Sequence, residues 1–167
     1  MTSQLILVLV LNIGDIKIAL NPDAAPKHVE QIRKLVEQNA YDGITFHRVI
    51  DGFVAQVGDV QYGHHTSFNA SMVGTGGSDL PNIPAEFSNL PHERGAVSMA
   101  RSNDPNSANS QFFICLADTR FLDGQYTIFG QVIEGMDIVD KIKKGDANSG
   151  SVDNPDYIQS AYFQSNS

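Results

Sequence analysis

Few side chains in this sequence could do chemistry, and most of those lack the company that chemistry needs. Cys115, the one cysteine, stands mid-run among apolar residues, which fits a small buried hydrophobe better than a nucleophile. His64-His65 could touch a metal, but no Cys or carboxylate stands at ligand spacing around the pair, and no metal site is assigned. Gly74-Thr75-Gly76-Gly77-Ser78 is glycine-rich, yet no Gly-Lys-Ser/Thr follows it to cradle a phosphate, so it reads as a loop. Neither a Gly-x-Ser-x-Gly elbow nor a His-Glu-x-x-His pair occurs. Asn69-Ala70-Ser71 is a glycosylation sequon, without consequence in an intracellular chain. Arg48 remains. Its guanidinium is always charged and carries several donors. A lone arginine on a strand is usually a surface residue or an ion-pair partner. Gln56, Phe53 and Phe113 give this one a different setting. His47 beside it reads as a structural histidine.

These residues fall in two aromatic segments that hold six of the nine Phe. One runs from Phe46 to Asp59, the other from Ser98 to Gly130. The elements that must position them can be read from periodicity. Residues 5–11 and 16–20 are β-rich runs around a Gly14-Asp15 break, and predict a hairpin. Pro26 opens a helix marked by Val29, Ile32, Leu35 and Val36, ending near Asn39. Residues 45–50 and 53–57 are short strands about an Asp51-Gly52 turn. From 58 to 95 apolar residues lose all period, a loop-rich stretch of the kind that is often functional. Strands resume at 96–100, 111–117 and 127–133. A short helix follows on Met136, Val139 and Ile142, stopped by Gly145, and a last strand covers 156–163. Alternation puts Phe112, Ile114 and Leu116 on one face of their strand and Gln111, Phe113 and Cys115 on the other. If the first set fills the core, Phe113 lies outside beside a Gln, as a binding surface would begin.

Roughly eight strands and two helices without strand–helix alternation predict a mainly β fold: a closed eight-stranded antiparallel β-barrel capped by two α-helices. The 167 residues suffice for one domain, assigned to 1–163. The tail, 164–167, follows Tyr162-Phe163-Gln164-Ser165, which resembles part of a protease-cleavage tag, and is read as non-native and silent. Hydrophobic residues make up 41% and charged residues only 18%, which excludes a disordered chain. A net charge of −8, with no Lys or Arg between Arg48 and Arg94, argues against a nucleic-acid partner. The run 5–11 has no basic flank or cleavage site and is too short to span a bilayer. No membrane partner is expected and the location is read as cytoplasmic. A leader removed before Met1 would make it periplasmic instead. Monomer is the default.

On the Phe46-His47-Arg48-Val49-Ile50-Asp51-Gly52-Phe53-Val54-Ala55-Gln56-Val57-Gly58-Asp59 stretch, the Ser98-Met99-Ala100, Asn109-Ser110-Gln111-Phe112-Phe113-Ile114 and Phe121-Leu122-Asp123-Gly124 motifs and Phe129-Gly130, the sequence resembles the cyclophilin-type peptidyl-prolyl cis–trans isomerases. The resemblance covers nearly the whole chain, including Ala25-Pro26 and Gly74-Thr75-Gly76-Gly77. It implies an isomerase that rotates X–Pro bonds in peptides and in unfolded or folding proteins. It implies Arg48 as catalytic arginine, Gln56 as the residue that steadies it, and Phe53, Val54, Phe113 and Leu122 as the proline pocket. Ala100, Arg101 and Gln111 match the neighbouring groove. The sequence departs from the family pattern at four places. Val54 replaces a frequent Met, Arg101 an Asn, Phe121 a Trp, and Tyr126 a His. The last two changes, Phe121 and Tyr126, look like bacterial-type members, and imply weak cyclosporin binding with activity retained.

The chemistry asks for little. Resonance sets a barrier near 18–20 kcal/mol to rotation about the amide C–N bond. The twisted transition state loses resonance, and its nitrogen becomes pyramidal and basic. No bond breaks, so no nucleophile, proton relay or cofactor is expected. An apolar pocket that excludes water, and a fixed donor near the prolyl nitrogen, favour the twisted form. The rival from another class is a non-catalytic proline-peptide binding module or chaperone on the same barrel, which would not require Arg48. A lipocalin-like barrel fits the strand count alone but predicts a hollow interior.

Overall fold

Alternating apolar residues make the sheet. In the computed structural model, which describes residues 5–164, eight strands form one antiparallel sheet. They are β1 (Ile6–Leu11), β2 (Gly14–Leu20), β3 (Arg48–Ile50), β4 (Val54–Val57), β5 (Ala96–Met99), β6 (Phe112–Cys115), β7 (Ile128–Glu134) and β8 (Ile158–Gln164). Two helices accompany them, α1 (Pro26–Glu37) and α2 (Met136–Lys141). The order across the sheet is β3-β4-β6-β5-β7-β2-β1-β8. The predicted hairpin of β1 and β2 is present, pairing Ile6 with Ala19 through to Leu11 with Gly14. Gln164, placed in the tail by the sequence reading, is the last residue of β8 and lies opposite Ile6. Residues 165–167 of that tail lie outside the described residues.

The closed barrel is corrected to a curled, open half-barrel, with β3 and β8 as its edges. No ladder joins them among the described residues. β3 is only three residues long, and the residues before it meet the β8 side through isolated contacts: Gly43 N–H to the Ile158 carbonyl, Ile158 N–H to that of Ile44, and Phe46 N–H to that of Asp156. Closure needs a continuous register, and here the seam carries only an isolated bridge, Thr45 opposite Tyr157.

The inner face of the sheet is filled, not hollow. Leu7, Leu9, Ile16, Ile18, Val49, Ala55, Val97, Phe112, Ile114 and Phe129 are fully buried there. Phe112 is an edge-to-face neighbour of both Tyr41 and Phe129, a preferred aromatic geometry. Phe46, Phe112 and Phe129 are thus core residues, as their parity requires. Helix α1 lays Val29, Ile32, Leu35 and Val36 into the same core. Its N-cap residue, Ala25, has no side chain to hold the first N–H groups. The Glu86 carboxylate does so from the long loop, accepting the N–H of Lys27 at 3.1 Å and of His28 at 2.9 Å. This ties the unpatterned stretch to the scaffold.

No named strand lies between β4 and β5. The excursion begins at Gly58, where φ is +109° and an added Cβ would stand 2.5 Å from the Ser110 carbonyl oxygen. Only glycine allows β4 to end so close to the segment leading into β6. Asp59 follows, fully buried. One carboxylate oxygen accepts from Gln61 N–H (3.0 Å) and Tyr62 N–H (2.9 Å), the other from Gly74 N–H (2.7 Å) and Gly76 N–H (3.0 Å). Both ends of the loop 60–73 are therefore gathered on one side chain, and Gly74 to Gly76 return to the sheet at a fixed place.

Candidate active site

Strand register assembles the site. On the outer face, Arg48 of β3 lies opposite Gln56 of β4, Gln56 opposite Phe113 of β6, and Phe113 opposite Ser98 of β5. These four residues form one row across four strands. Because side chains alternate, the next row (Val49, Ala55, Ile114, Val97) points inward to the core. The outer row is flanked by a second apolar cluster of Val54, Ala96, Phe113, Cys115 and Ile128, with Phe53, Leu90, Ala100, Leu122 and Tyr126 packed at its margin.

A cavity of about 170 Å³ opens in this cluster, lined by Arg48, Phe53, Val54, Gln56, Ala100, Arg101, Phe113, Leu122 and Tyr126. Nine of the eleven residues named from the sequence thus meet at one place. Gln111 lines an adjoining groove of about 390 Å³ with Gly74, Thr75, Gly76, Ser107 and Asn109. Gln56, Ala100 and Arg101 belong to both, so the two spaces are continuous along the sheet. Phe121 lines neither. It is 68% exposed and stacks on the back of Phe53, with ring centroids 5.7 Å apart.

The Arg48 guanidinium is steered by two bonds. Its Nη1 donates to Gln56 Oε1 at 3.2 Å and its Nε to the Ser149 carbonyl at 3.3 Å. Arginine has five N–H donors, and these two bonds leave three for a ligand. Gln56 Nε2 donates in turn to Gln111 Oε1 (2.9 Å), and Gln111 Nε2 to the carbonyls of Gly74 and Gly76 (both 3.0 Å). The polar side of the site is therefore a fixed chain, not a set of separate side chains.

The apolar side is fixed by aromatics. Tyr126 meets Phe113 edge-to-face at 5.7 Å. His92 neighbours both, 20° from parallel to Phe113 at 6.2 Å and edge-to-face with Tyr126 at 6.4 Å. Its Nδ1 meets Asp123 Oδ1 at 3.1 Å and its Nε2 meets Ser98 Oγ at 2.9 Å. Burial outweighs the Asp123 carboxylate and holds His92 below its ordinary value. Arg101 sits 4.5 Å over the Tyr126 ring, and its Nε and Nη2 both donate to the Gln125 carbonyl. The backbone of Arg101 makes no hydrogen bond among the described residues. Arg101 lines both the cavity and the adjoining groove.

His47 is buried behind this row, and neither ring nitrogen has a protein partner among the described residues. Burial lowers its pKa to about 4; Asp59 opposes the shift and Arg48 adds to it. At neutral pH it is uncharged, and it is not among the residues that line the cavity. Cys115 is fully buried, and burial raises its thiol pKa, which suits the hydrophobic role expected of it. No group of three or more His, Cys, Asp or Glu residues gathers at metal-binding distance among the described residues. Sequence reasoning passed over Asp59, His92 and Ser149. Asp59 stood at the end of a quoted motif, but nothing in its type marks four bonds to backbone.

Residues 6–162 match the family described as cyclophilin type peptidyl-prolyl cis-trans isomerase/CLD. A probable peptidyl-prolyl cis-trans isomerase of Brucella suis is 58% identical over 159 residues, covering 94% of this chain and 81% of its own. A peptidyl-prolyl cis-trans isomerase of Helicobacter pylori is 40% identical over 139 residues, covering 81% and 78%. Among solved structures, a cyclophilin from Hirschia baltica superposes with a TM-score of 0.79 at 30% identity, covering 94% of this chain and 73% of that one. A Cryptosporidium parvum cyclophilin-type isomerase, crystallised in the presence of the dipeptide Ala-Pro, gives a TM-score of 0.82 at 27% identity, covering 96% and 99%.

Proposed function

The chain belongs to the cyclophilin-type peptidyl-prolyl cis-trans isomerases, and we propose that it performs that isomerisation with the Arg48 guanidinium acting at the rim of the Phe113 pocket. The observation that carries this reading is a cavity lined on one side by a guanidinium with three donors to spare and on the other by Phe113, two strands away in the same row. The cavity is smaller than the several hundred Å³ usual for drug-sized ligands, so it suits one side chain. A prolyl ring between Phe53, Val54, Phe113 and Leu122 is held while the rest of the peptide turns. The carbonyl before it accepts from Arg48. As the amide twists, the prolyl nitrogen gains a lone pair, and a guanidinium N–H aimed at it is strengthened in the transition state alone. Apolar walls exclude the water that favours the planar, charge-separated amide.

The adjoining groove takes the residues preceding proline, with the free backbone edge of Arg101 pairing to the peptide. Substrates are proline-containing peptides and folding chains. The Ala-Pro dipeptide named with the Cryptosporidium structure is of this class. Cyclosporin binds weakly, because Phe121 offers an aromatic face but no N–H donor.

Exchange NMR on a short Ala-Pro peptide tests the reading with Arg48→Ala as control. Charge-assisted hydrogen bonds contribute about 1.5–3 kcal/mol, and each 1.36 kcal/mol is tenfold in rate. A fall in kcat/KM of about 10- to 100-fold is expected, with little loss of stability, since Arg48 is only half-buried. A rate for Arg48→Ala equal to wild type would mean that the fold binds proline without using the arginine.

A further inference from the structure

We propose that Asp59 is a positioning residue for Arg48, acting through the glycine loop and the two glutamines. This deepens the reading of Arg48 given above and rests on it. Asp59 is a fully buried carboxylate with no cationic partner in hydrogen-bond reach among the described residues. All of its side-chain bonds there go to four backbone N–H groups. Burying a charge is costly unless it is fully hydrogen-bonded. A neutral acceptor would close a surface loop more cheaply, so the use of a charge calls for a reason.

That reason lies in what the carboxylate fixes. The Gly74 and Gly76 peptides donate their N–H groups to Asp59, while the carbonyls of the same two residues accept from Gln111 Nε2. Gln111 has two amide hydrogens, and both are spent there, so its Oε1 is turned toward Gln56 Nε2. That contact orients the Gln56 amide and leaves its Oε1 facing Arg48 Nη1. If Gln111 flipped, Gln56 would flip with it and present an NH₂ group to the guanidinium, two donors face to face. The amide orientation of both glutamines, and so the aim of Arg48, is set by carbonyls that Asp59 holds in place. The space there is already full. A Cβ on Gly76 would stand 2.3 Å from Asp59 Oδ1 and 2.7 Å from the Gln61 side chain.

The test combines Asp59→Asn, Gln111→Leu, their double variant and Arg48→Ala. It measures kcat and KM on an Ala-Pro peptide, and the ¹H–¹⁵N resonance of the Arg48 Nε–H group. One lost hydrogen-bond link corresponds to as much as about tenfold in rate. Asp59→Asn should lower kcat by about that factor with KM within about twofold, and should move the Arg48 resonance. In the Gln111→Leu background the same change should cost less than about twofold, because the path is already cut. A folded Asp59→Asn enzyme with wild-type kcat and an unmoved resonance overturns the inference. So does an effect that is additive with Gln111→Leu. If Asp59→Asn has no cooperative unfolding transition, Gly76→Ala, which displaces the carboxylate from the loop side, takes its place with the same expected outcomes. If Arg48→Ala itself is fully active, the reading of the arginine fails, independently of Asp59.

Discussion

His47 gives the sharpest test of whether a proton belongs to this chemistry. It is next to Arg48 in sequence and looks like a general acid or base, yet it is buried and held neutral, with its pKa near 4 against an ordinary 6.5. Burial is the main cause. Asp59 pulls the value up and Arg48 pushes it down. In the unfolded chain the same ring titrates at about 6.5. Between pH 6.5 and 4 the unfolded state therefore binds a proton that the native state refuses, and stability falls as pH falls. Above 6.5 both states are neutral, and below 4 both are protonated, so the effect is confined to that window. At 1.36 kcal/mol per unit of pKa difference, it reaches about 3 kcal/mol. His28 and His92 are also held low by burial and act with the same sign. A comparison with His47→Gln removes them. Urea unfolding from pH 8 to 4 should show the wild type losing up to about 3 kcal/mol more than His47→Gln. Over pH 6 to 8, kcat/KM should stay flat in both proteins, since a neutral His47 moves no proton. Parallel stability curves would refute the buried-neutral reading. A sigmoidal rate profile abolished by His47→Gln would refute the proton-free mechanism.

Two further outcomes follow from the same surroundings. Phe121→Trp, at an exposed position stacked on Phe53, should raise cyclosporin sensitivity by up to about tenfold, the worth of one added donor. Unchanged inhibition in the isomerase assay would show that an N–H at this position does not govern cyclosporin binding. Cys115, buried with a raised thiol pKa, should resist a thiol reagent such as Ellman's at pH 8 until the protein is unfolded. Rapid labelling of the native protein would contradict its place in the second apolar cluster.

Side chains that face a core leave a period, and the sequence was legible wherever that held. The alternation at 111–117 placed Phe112 and Ile114 inside and Phe113 outside, and the sheet has them so. The helical spacing of Val29, Ile32 and Leu35 marked α1 correctly. The row of Arg48, Gln56 and Phe113 followed from family resemblance, and strand register explains why those three meet. The stretch 58–95 was opaque because its contacts run to backbone. Asp59 binds four N–H groups that any sequence would offer, and Glu86 caps a helix fifty-eight residues away by the same means. Closure of the sheet was misjudged for a related reason. Counting strands says nothing about whether Gly43, Ile44 and Phe46 meet the 156–158 segment in a ladder or in separate bonds.

The open seam has a consequence for solubility. A sheet with two free edges invites pairing with a second chain, and one of these edges is the strand that carries Arg48. The turn after α2 covers it. Gly145 N–H bonds to the Val49 carbonyl, Val49 N–H to the Gly150 carbonyl, and Ser151 bridges to Arg48. Gly150, at φ +78°, lies against Arg48 and Ile50 so closely that a Cβ would meet Arg48 Cγ at 2.8 Å. The same turn supplies the Ser149 carbonyl that holds Arg48 Nε. One segment thus covers this edge and holds the guanidinium. Damage to it would be expected to turn a loss of activity into aggregation as well.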